Sequence, residues 1–502
     1  MEGVCRVEYA VAVDLGASSS KIAAVALHGN EVCLEDVYVF PNVPLKLGPG
    51  LYWDIFDLYK NIISGLSRFG AKYGKPASIG IDTWGATYGF LDAKGRLAEP
   101  VFHYRDNRTS GVLRKMYEVV PKRKIFDLTG CQCAPSYTLT QLYASVLQDD
   151  AVLSIAKHLV LLPDLFSYFL GGDLSTERSI AGTTSMLDSS QRDWSRELLD
   201  ALHIPSGFLL PVSGTGIVKG RLRQSVAEET GLGDVAIVSA LGHDSAAAVA
   251  CIPGFDEDSL YVSMGTNISM GMYRSTPALE EPFYLGGFKN TGGDNGNIIV
   301  YRDFPGAWIL NNLKSEWEKA GTSLDYDDID FLARESGLGI VFDIEDPSIQ
   351  ESGNSMSAVI ANLIAGIGQP VPQSMGMFIA SVYDSIALRV LYYASTLASI
   401  RQKEFRDVWL IGGATRYKNL LSRIAGALGR PMHAGFPYAS LVGNGVSQFY
   451  ALGKLNRNDY GDRKEGSSRC TEIKPAAMRD WKECMAQAVE TKIIEREAWI
   501  SG

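Results

Sequence analysis

The sequence predicts an α/β protein of two similarly built domains facing each other across a cleft, and three observations carry that prediction. An apolar strand-turn-strand pattern, VAVDLGASSSKIAAVAL at residues 11–27, returns further along as SLYVSMGTNISMGMY at 259–273. Short apolar runs of strand character alternate with stretches of helical periodicity throughout the chain. Near the end, VWLIGGATRYKNLLSRIAGALGRP at 408–431 reads as a buried strand, two glycines and an amphipathic helix.

The elements follow in order. In the first hairpin Val11, Val13 and Leu15 alternate with Ala12 and Asp14, and the tip Gly16–Ser20 carries little side chain. Such a tip leaves backbone N–H groups uncovered and adds three hydroxyls, so it reads equally as a phosphate cradle or as an ordinary turn before a surface lysine, Lys21. It is not the strand-loop-helix phosphate motif, because the Gly-Lys-Ser/Thr ending is missing and a strand follows. SIGIDTWG (78–85) and VAIVSALG (235–242) read as buried strands. A domain boundary is expected near residue 240, just before Gly242-His243-Asp244, which precedes an alanine-rich helical run. Asp244 there suits a helix cap or a reactive carboxylate. The second hairpin turns at Gly265, Thr266 and Asn267. In SVYDSIALRVLYYASTLASI (381–400), Val382, Ile386, Val390 and Tyr393 recur at helical spacing. Gly412 and Gly413 then permit a flat ring to approach the backbone, or a helix to pack closely on its strand. GNGVSQFYALGKL (443–455) is helical, NRNDYGDRKEGSSRCT (456–471) reads as an exposed linker, and the tail beyond it suits a terminal helix.

Composition narrows the function classes. With 502 residues, 46% hydrophobic and 21% charged, the chain has material for two or three domains with large cores. A formal net charge of −10 argues against nucleic acid as a bulk partner, since phosphate backbones require a basic surface. The N-terminal MEGVCRVEYA lacks a basic segment followed by an apolar core, and HLVLLPDLFSYFLGG (158–172) is interrupted by Pro163 and Asp164 and falls short of the ~20 residues of a membrane span. Cytoplasmic residence without membrane attachment is the expectation. Seven scattered cysteines suit reduced thiols rather than a disulfide framework. Cys131 and Cys133 do not have zinc-pair spacing, and the six histidines include no His-Glu-x-x-His motif, which argues against metal-assisted hydrolysis.

Taken together, a hairpin with Asp14, a hairpin with Gly265 and Thr266, and a strand-glycine-glycine-helix resemble the ATPase core shared by sugar kinases, hexokinase, actin and the heat-shock ATPases. The sequence GHDS (242–245) is similar to the catalytic motif of the FGGY carbohydrate kinases. LYWDI (51–55), IGIDTWGATYGFLD (79–92), HYRDNRT (103–109), LLPDLFSYFLGG (161–172), YVSMGTNISMG (261–271) and NTGG (290–293) resemble the branch that phosphorylates L-rhamnulose, in family order from residue 9 to about 455.

The resemblance implies two actin/hexokinase-like (ribonuclease H-like) ATPase domains, 1–240 and 241–455, followed by the linker and helix of 456–502. It implies Asp244 as general base and Asp14 as the residue orienting the waters of Mg²⁺. Ser18, Ser19, Ser20 and Lys21, with Gly265 and Thr266, would hold the β- and γ-phosphates of ATP; Gly412, Gly413 and Ala414 would flank the nucleoside. Trp84, Gly85, His243 and Asn290 would line the sugar pocket, where Trp84 also offers an aromatic face and Arg105 a polar partner. The expected partners are a small-molecule sugar and ATP, for a monomer or homodimer.

The chain departs from the branch at several places. Ala86-Thr87 stands where Val-Asp is typical, Ser20-Lys21 where Gly-Arg is usual, and Tyr438 where a glutamate is common. Lysine keeps the charge but not the planar fork of arginine. The ATP machinery survives these changes, and other ketoses or polyols such as L-fuculose, xylulose or ribulose stand beside L-rhamnulose as substrates. A sugar- or nucleotide-binding sensor without kinase turnover is the remaining alternative.

Overall fold

The computed structural model describes residues 7–335, 339–350, 355–461, 470–475, 481–491 and 493. The strands that position the site are β1 (Glu8–Leu15), β2 (Ser19–His28), β3 (Glu31–Pro41), β4 (Ser78–Thr83), β5 (Ile217–Arg221), β6 (Ala236–Ser239), β7 (Ser259–Met264), β8 (Asn267–Arg274), β9 (Lys289–Gly292), β10 (Ile298–Pro305), β11 (Asp407–Ile411), β12 (Met432–Gly435) and β13 (Cys470–Ile473). The main helices are α1 (Ile55–Tyr73), α2 (Leu162–Leu170), α3 (Asp244–Ala250), α4 (Met375–Arg401) and α5 (Ala439–Ala451).

The chain forms two compact α/β units, as the alternation of strand and helix patterns predicts. The first comprises 1–255, 273–300 and 438–464, and the second 256–272, 301–437 and 465–502. This division differs from a single boundary near residue 240. The reason is that α5 packs on the N-terminal sheet, so the chain returns to the first unit after completing most of the second.

The first unit is built on a six-stranded sheet in the order β5-β6-β4-β1-β2-β3. β1 and β2 form the antiparallel hairpin, while β4 runs parallel to β1 with Asp14 opposite Asp82. The two faces of β1 differ. Val11, Val13 and Leu15 join Ile79 and Ile81 in a core completed by α1 and α2. On the other face stand Ala10, Ala12, Asp14, Gly80 and Asp82, and α5 covers them. A Cβ at Gly80 would lie 2.6 Å from the Asn444 amide oxygen, so the small residues make room for a polar helix face. Because the alternation is large-apolar against small, the strand reads as a continuous apolar run.

The second hairpin belongs to a seven-stranded sheet ordered β9-β10-β8-β7-β11-β12-β13. There β7 and β8 pair antiparallel and β11 runs parallel to β7, repeating the hairpin-plus-parallel-strand arrangement of the first sheet. α4 is long and apolar enough to cross a membrane, but most of it is buried inside the protein, as a core helix is.

The tail is only partly an exposed linker. Arg457–Gly461 is helical, and the buried Tyr460 donates its hydroxyl to the Cys251 carbonyl at 2.6 Å. Residues 462–469 lie outside the described residues, and Cys470–Ile473 then pairs antiparallel with β12. An anchoring tyrosine and an edge strand account for the difference from the polar composition. The expected terminal helix is present as Trp481–Glu490.

Candidate active site

In the first hairpin, a Cβ at Gly16 would stand 2.4 Å from the Ser19 carbonyl oxygen, so the turn requires glycine. Asn42 braces the tip from β3's end. Its amide donates to the Gly16 carbonyl at 3.0 Å and its N–H to the Ser18 carbonyl at 3.2 Å. Ser18 is exposed and Ser19 half-buried, but Ser20 lies inside β2 with a buried hydroxyl that has no hydrogen-bond partner among the described residues. The open tip thus presents two hydroxyls rather than three. Lys21 Nζ lies 3.4 Å from Asp14 Oδ2.

Three carboxylates belong to this unit's site. Asp14 is buried at the end of β1, and its Oδ2 also accepts from the Ser440 hydroxyl of α5 at 2.8 Å. Asp82 is wholly buried and accepts from Asn444 Nδ2 at 2.6 Å. Burial, reinforced by the charges of Asp14 and Asp244, holds the Asp82 carboxyl well above the usual carboxylate range. Asp244 begins α3, while His243 occupies the cap position. The Asp244 side chain is 33% exposed, and its Oδ1 accepts from the Ser245 N–H at 2.6 Å and hydroxyl at 3.1 Å. It is therefore not the helix cap, a position His243 takes.

The loop bearing Asp244 is docked on the end of β4. Thr83 N–H donates to the Gly242 carbonyl at 2.9 Å, and Thr83 bridges to His243. From the other side, Glu177 accepts from the Gly242 N–H at 3.0 Å and from Ser179 Oγ, whose oxygen accepts from the His243 N–H at 3.1 Å. Burial pushes Glu177 up to about 7 despite these donors.

Trp84 stacks on Trp53 with ring centroids 4.2 Å apart, and Trp53 on His103 at 4.1 Å. Trp84 Nε1 donates to Thr87 Oγ1 at 2.8 Å, whereas the buried Trp53 indole N–H has no hydrogen-bond partner among the described residues. Ala86 holds a left-handed φ of 65°. Thr183 Oγ1 accepts from its N–H, and Thr138 and Gln141 donate to its carbonyl, each at 3.0 Å. A non-glycine residue persists there only because these side chains fix it. Gly85 packs against Thr183, where a Cβ would come within 2.8 Å. Arg105 is exposed, with its guanidinium over the Tyr104 ring at 5.6 Å.

Asn290 differs from its expected part in a sugar pocket. Its side chain accepts from Ala278 N–H and donates to the carbonyls of Gly130 and Ala278, so the amide is committed to backbone.

In the second unit, the carbonyl of Gly265 accepts from Ala307 N–H at 3.1 Å and that of Thr266 from Trp308 N–H at 2.9 Å. The second tip, like the first, has its carbonyls tied back, and Thr266 is exposed. The glycine pair divides its labour. Gly412, at φ 93°, packs against Met264, whose carbonyl oxygen a Cβ would approach to 2.8 Å. A Cβ at Gly413 would meet nothing within 4 Å, so the turn is open on that side. Ala414 is buried in the turn that follows.

The residues that local patterns miss are Asn42, Asp82, Glu177, Ser440 and Asn444. Only Asp82 carries a signal, as a carboxylate inside an otherwise apolar strand.

Comparison with known proteins matches both halves of the chain. The model of the FGGY family of carbohydrate kinases, N-terminal domain, matches residues 9–251, and that of the C-terminal domain residues 260–452. A rhamnulokinase of Enterobacter sp. (strain 638) is 30% identical over 489 residues, 97% of this chain and 98% of that protein. One from Bacteroides thetaiotaomicron is 29% identical, covering 94% and 96%. In fold, the chain is similar to the crystal structure of gluconate kinase from Lactobacillus acidophilus, with TM-score 0.80 at 14% identity over 98% of this chain and 99% of that one.

Proposed function

Because the chain belongs to the FGGY family of carbohydrate kinases, we propose that it transfers the γ-phosphoryl group of ATP to the C1 hydroxyl of a ketose, L-rhamnulose foremost. It is an enzyme, a carbohydrate kinase, with a sugar and ATP as substrates. The observation that carries the choice of sugar is the similarity to rhamnulokinases along nearly the whole chain. Cytoplasmic residence accompanies this reading.

In this mechanism Asp244 accepts the hydroxyl proton as the new O–P bond forms. The Ser245 donors orient its Oδ1, and the Glu177-Ser179 brace fixes the loop that carries it. Ser18, Ser19, Lys21 and the Gly265-Thr266 tip supply donors to phosphate oxygens, with Ser20 supporting the first tip from within β2. Gly413 admits adenosine, and Gly412 and Ala414 shape the turn beneath it. Trp84, Gly85, Arg105 and His243 face the sugar; Asn290 supports that wall through backbone bonds. Mg²⁺ fits the site, since Asp14 has Oδ2 held by protein donors and Oδ1 without a hydrogen-bond partner among the described residues. When bound, the cation offsets phosphate charge as the negatively charged base and acceptor approach.

A second reading, another ketose of the same family, is favoured by one observation. Where a carboxylate is typical of the branch, Thr87 is buried and accepts the Trp84 indole N–H. Both readings meet in a coupled ADP-release assay over L-rhamnulose, L-fuculose, D- and L-xylulose, L-ribulose, D-fructose, glycerol and no sugar. L-Rhamnulose is expected to lead, and Asp244→Ala to lower its kcat by about 10²–10⁴-fold. A different leading sugar selects the second reading, whereas ATP turnover indifferent to every sugar contradicts both.

A further inference from the structure

Asp82 is not explained by any step of that mechanism. It stands opposite Asp14 across adjacent parallel strands, so the two side chains project from the same sheet face. One face of α5 meets both. Ser440 donates to Asp14 Oδ2 at 2.8 Å, and one helical turn later Asn444 donates to Asp82 Oδ2 at 2.6 Å. Asn444 has no freedom to serve the other oxygen. Its own amide oxygen accepts from Gln448 Nε2 at 2.7 Å, and Gln448 is fixed in turn by the Ser78 hydroxyl at 2.7 Å.

Each carboxylate therefore has one oxygen held and one left over. Asp82 Oδ1 is buried without a hydrogen-bond partner among the described residues, in a residue 0% exposed. A buried anionic oxygen without a donor is unfavourable, and setting it beside a second carboxylate adds repulsion. A purely structural anchor for α5 requires neither feature, because a neutral acceptor at position 82 would hold Asn444 equally well. Among the described residues no group of three or more His, Cys, Asp or Glu side chains forms a metal cage. Two carboxylates acting on a hydrated ion agree with the way Mg²⁺ retains several waters.

We propose that Asp82 is a second carboxylate for the divalent cation that accompanies the nucleotide, acting with Asp14 on the cation's water shell through the two Oδ1 atoms. The inference rests on reading this face as the ATP site.

Mn²⁺, counted by the loss of its free EPR signal at fixed ADP, is the probe, and the full-length chain is used throughout. Wild type is expected to bind Mn²⁺ in an ADP-dependent manner. Asp82→Asn, which keeps an acceptor for Asn444, is expected to weaken that binding by about 10–100-fold, the usual weight of a group acting on a metal through its first ligands. Melting in EDTA checks the fold, and the variant should melt at or above the wild-type temperature, since the substitution removes an acidic group whose ionisation is costly in this buried place beside Asp14. If it does not fold, Asp82→Ser takes its place with the same expected loss. Wild-type Mn²⁺ affinity in a folded Asp82 variant overturns this inference and leaves the kinase reading intact. Absence of ADP-dependent Mn²⁺ binding in wild type overturns the nucleotide-site reading and this inference with it.

Discussion

The imidazole of His103 is stacked between Trp53 and Tyr104, and its Nδ1 accepts from the Arg105 N–H at 3.0 Å. Burial first, and the Arg105 cation second, push its pKa down to about 4 from an ordinary 6.5. Between those values the unfolded chain binds a proton that the folded chain does not. His103 therefore contributes stability that is complete above about pH 6.5 and is lost as the pH falls toward about 4. Urea midpoints measured across that interval should fall less steeply with acid in His103→Asn than in wild type. Parallel slopes would show that the ring titrates normally. The same attention to single atoms separates Asp244, which leaves the cap position to His243, from Asn290, whose amide is consumed by backbone. The sequence offered Asp244 as a cap or a reactive carboxylate, and the resemblance offered Asn290 as a sugar-pocket residue; neither reading could see these contacts.

At the scale of elements, the two hairpins and the strand-glycine-glycine-helix were legible because each is a local pattern: strand alternation, small turn residues, then helical periodicity. α5 was legible as a helix but not as the cover of the carboxylates. Its contacts join residues 362 and 370 positions apart, Asp82 with Asn444 and Ser78 with Gln448, and no local period encodes such a pair. Gly443 marks the crossing of α5 with α3, where a Cβ would fall 1.8 Å from the Ala247 carbonyl oxygen. Gly443→Ala must push the two helices apart, at about 1–3 kcal/mol by the usual measure of overpacking. Thermal melting should register that loss, with kcat falling alongside because both helices carry site residues. Gly366→Ala is the control, since a Cβ placed there would meet nothing within 4 Å. Equal melting of both variants would mean that the crossing relaxes without effect.

For the whole molecule, the α/β class and the repeated architecture followed from the sequence, but the ownership of segments did not. The resemblance implies that 438–455 belongs to the second domain and 456–464 to a linker, whereas packing assigns 438–464 to the first unit. A fragment ending at Phe255 leaves uncovered the face formed by Ala10, Ala12, Gly80 and Asp82. Such a fragment should lack a cooperative melting transition, and a peptide spanning 438–461 added in trans should increase its helical circular dichroism beyond the sum of the two parts. Cooperative melting of the fragment alone would refute the dependence on α5.

The late arrival of α5 also sets a clock during biosynthesis. At about 5–20 residues per second, the roughly 180 residues between Phe255 and Tyr438 hold the N-terminal sheet incomplete for on the order of ten to forty seconds after its last strand leaves the ribosome. Throughout that interval Asp14 and Asp82 have neither Ser440 nor Asn444, and the small-residue face is open to chaperones and to neighbouring nascent chains. Synonymous codons that slow translation between those points should lengthen this exposure and lower the soluble yield without altering a single amino acid.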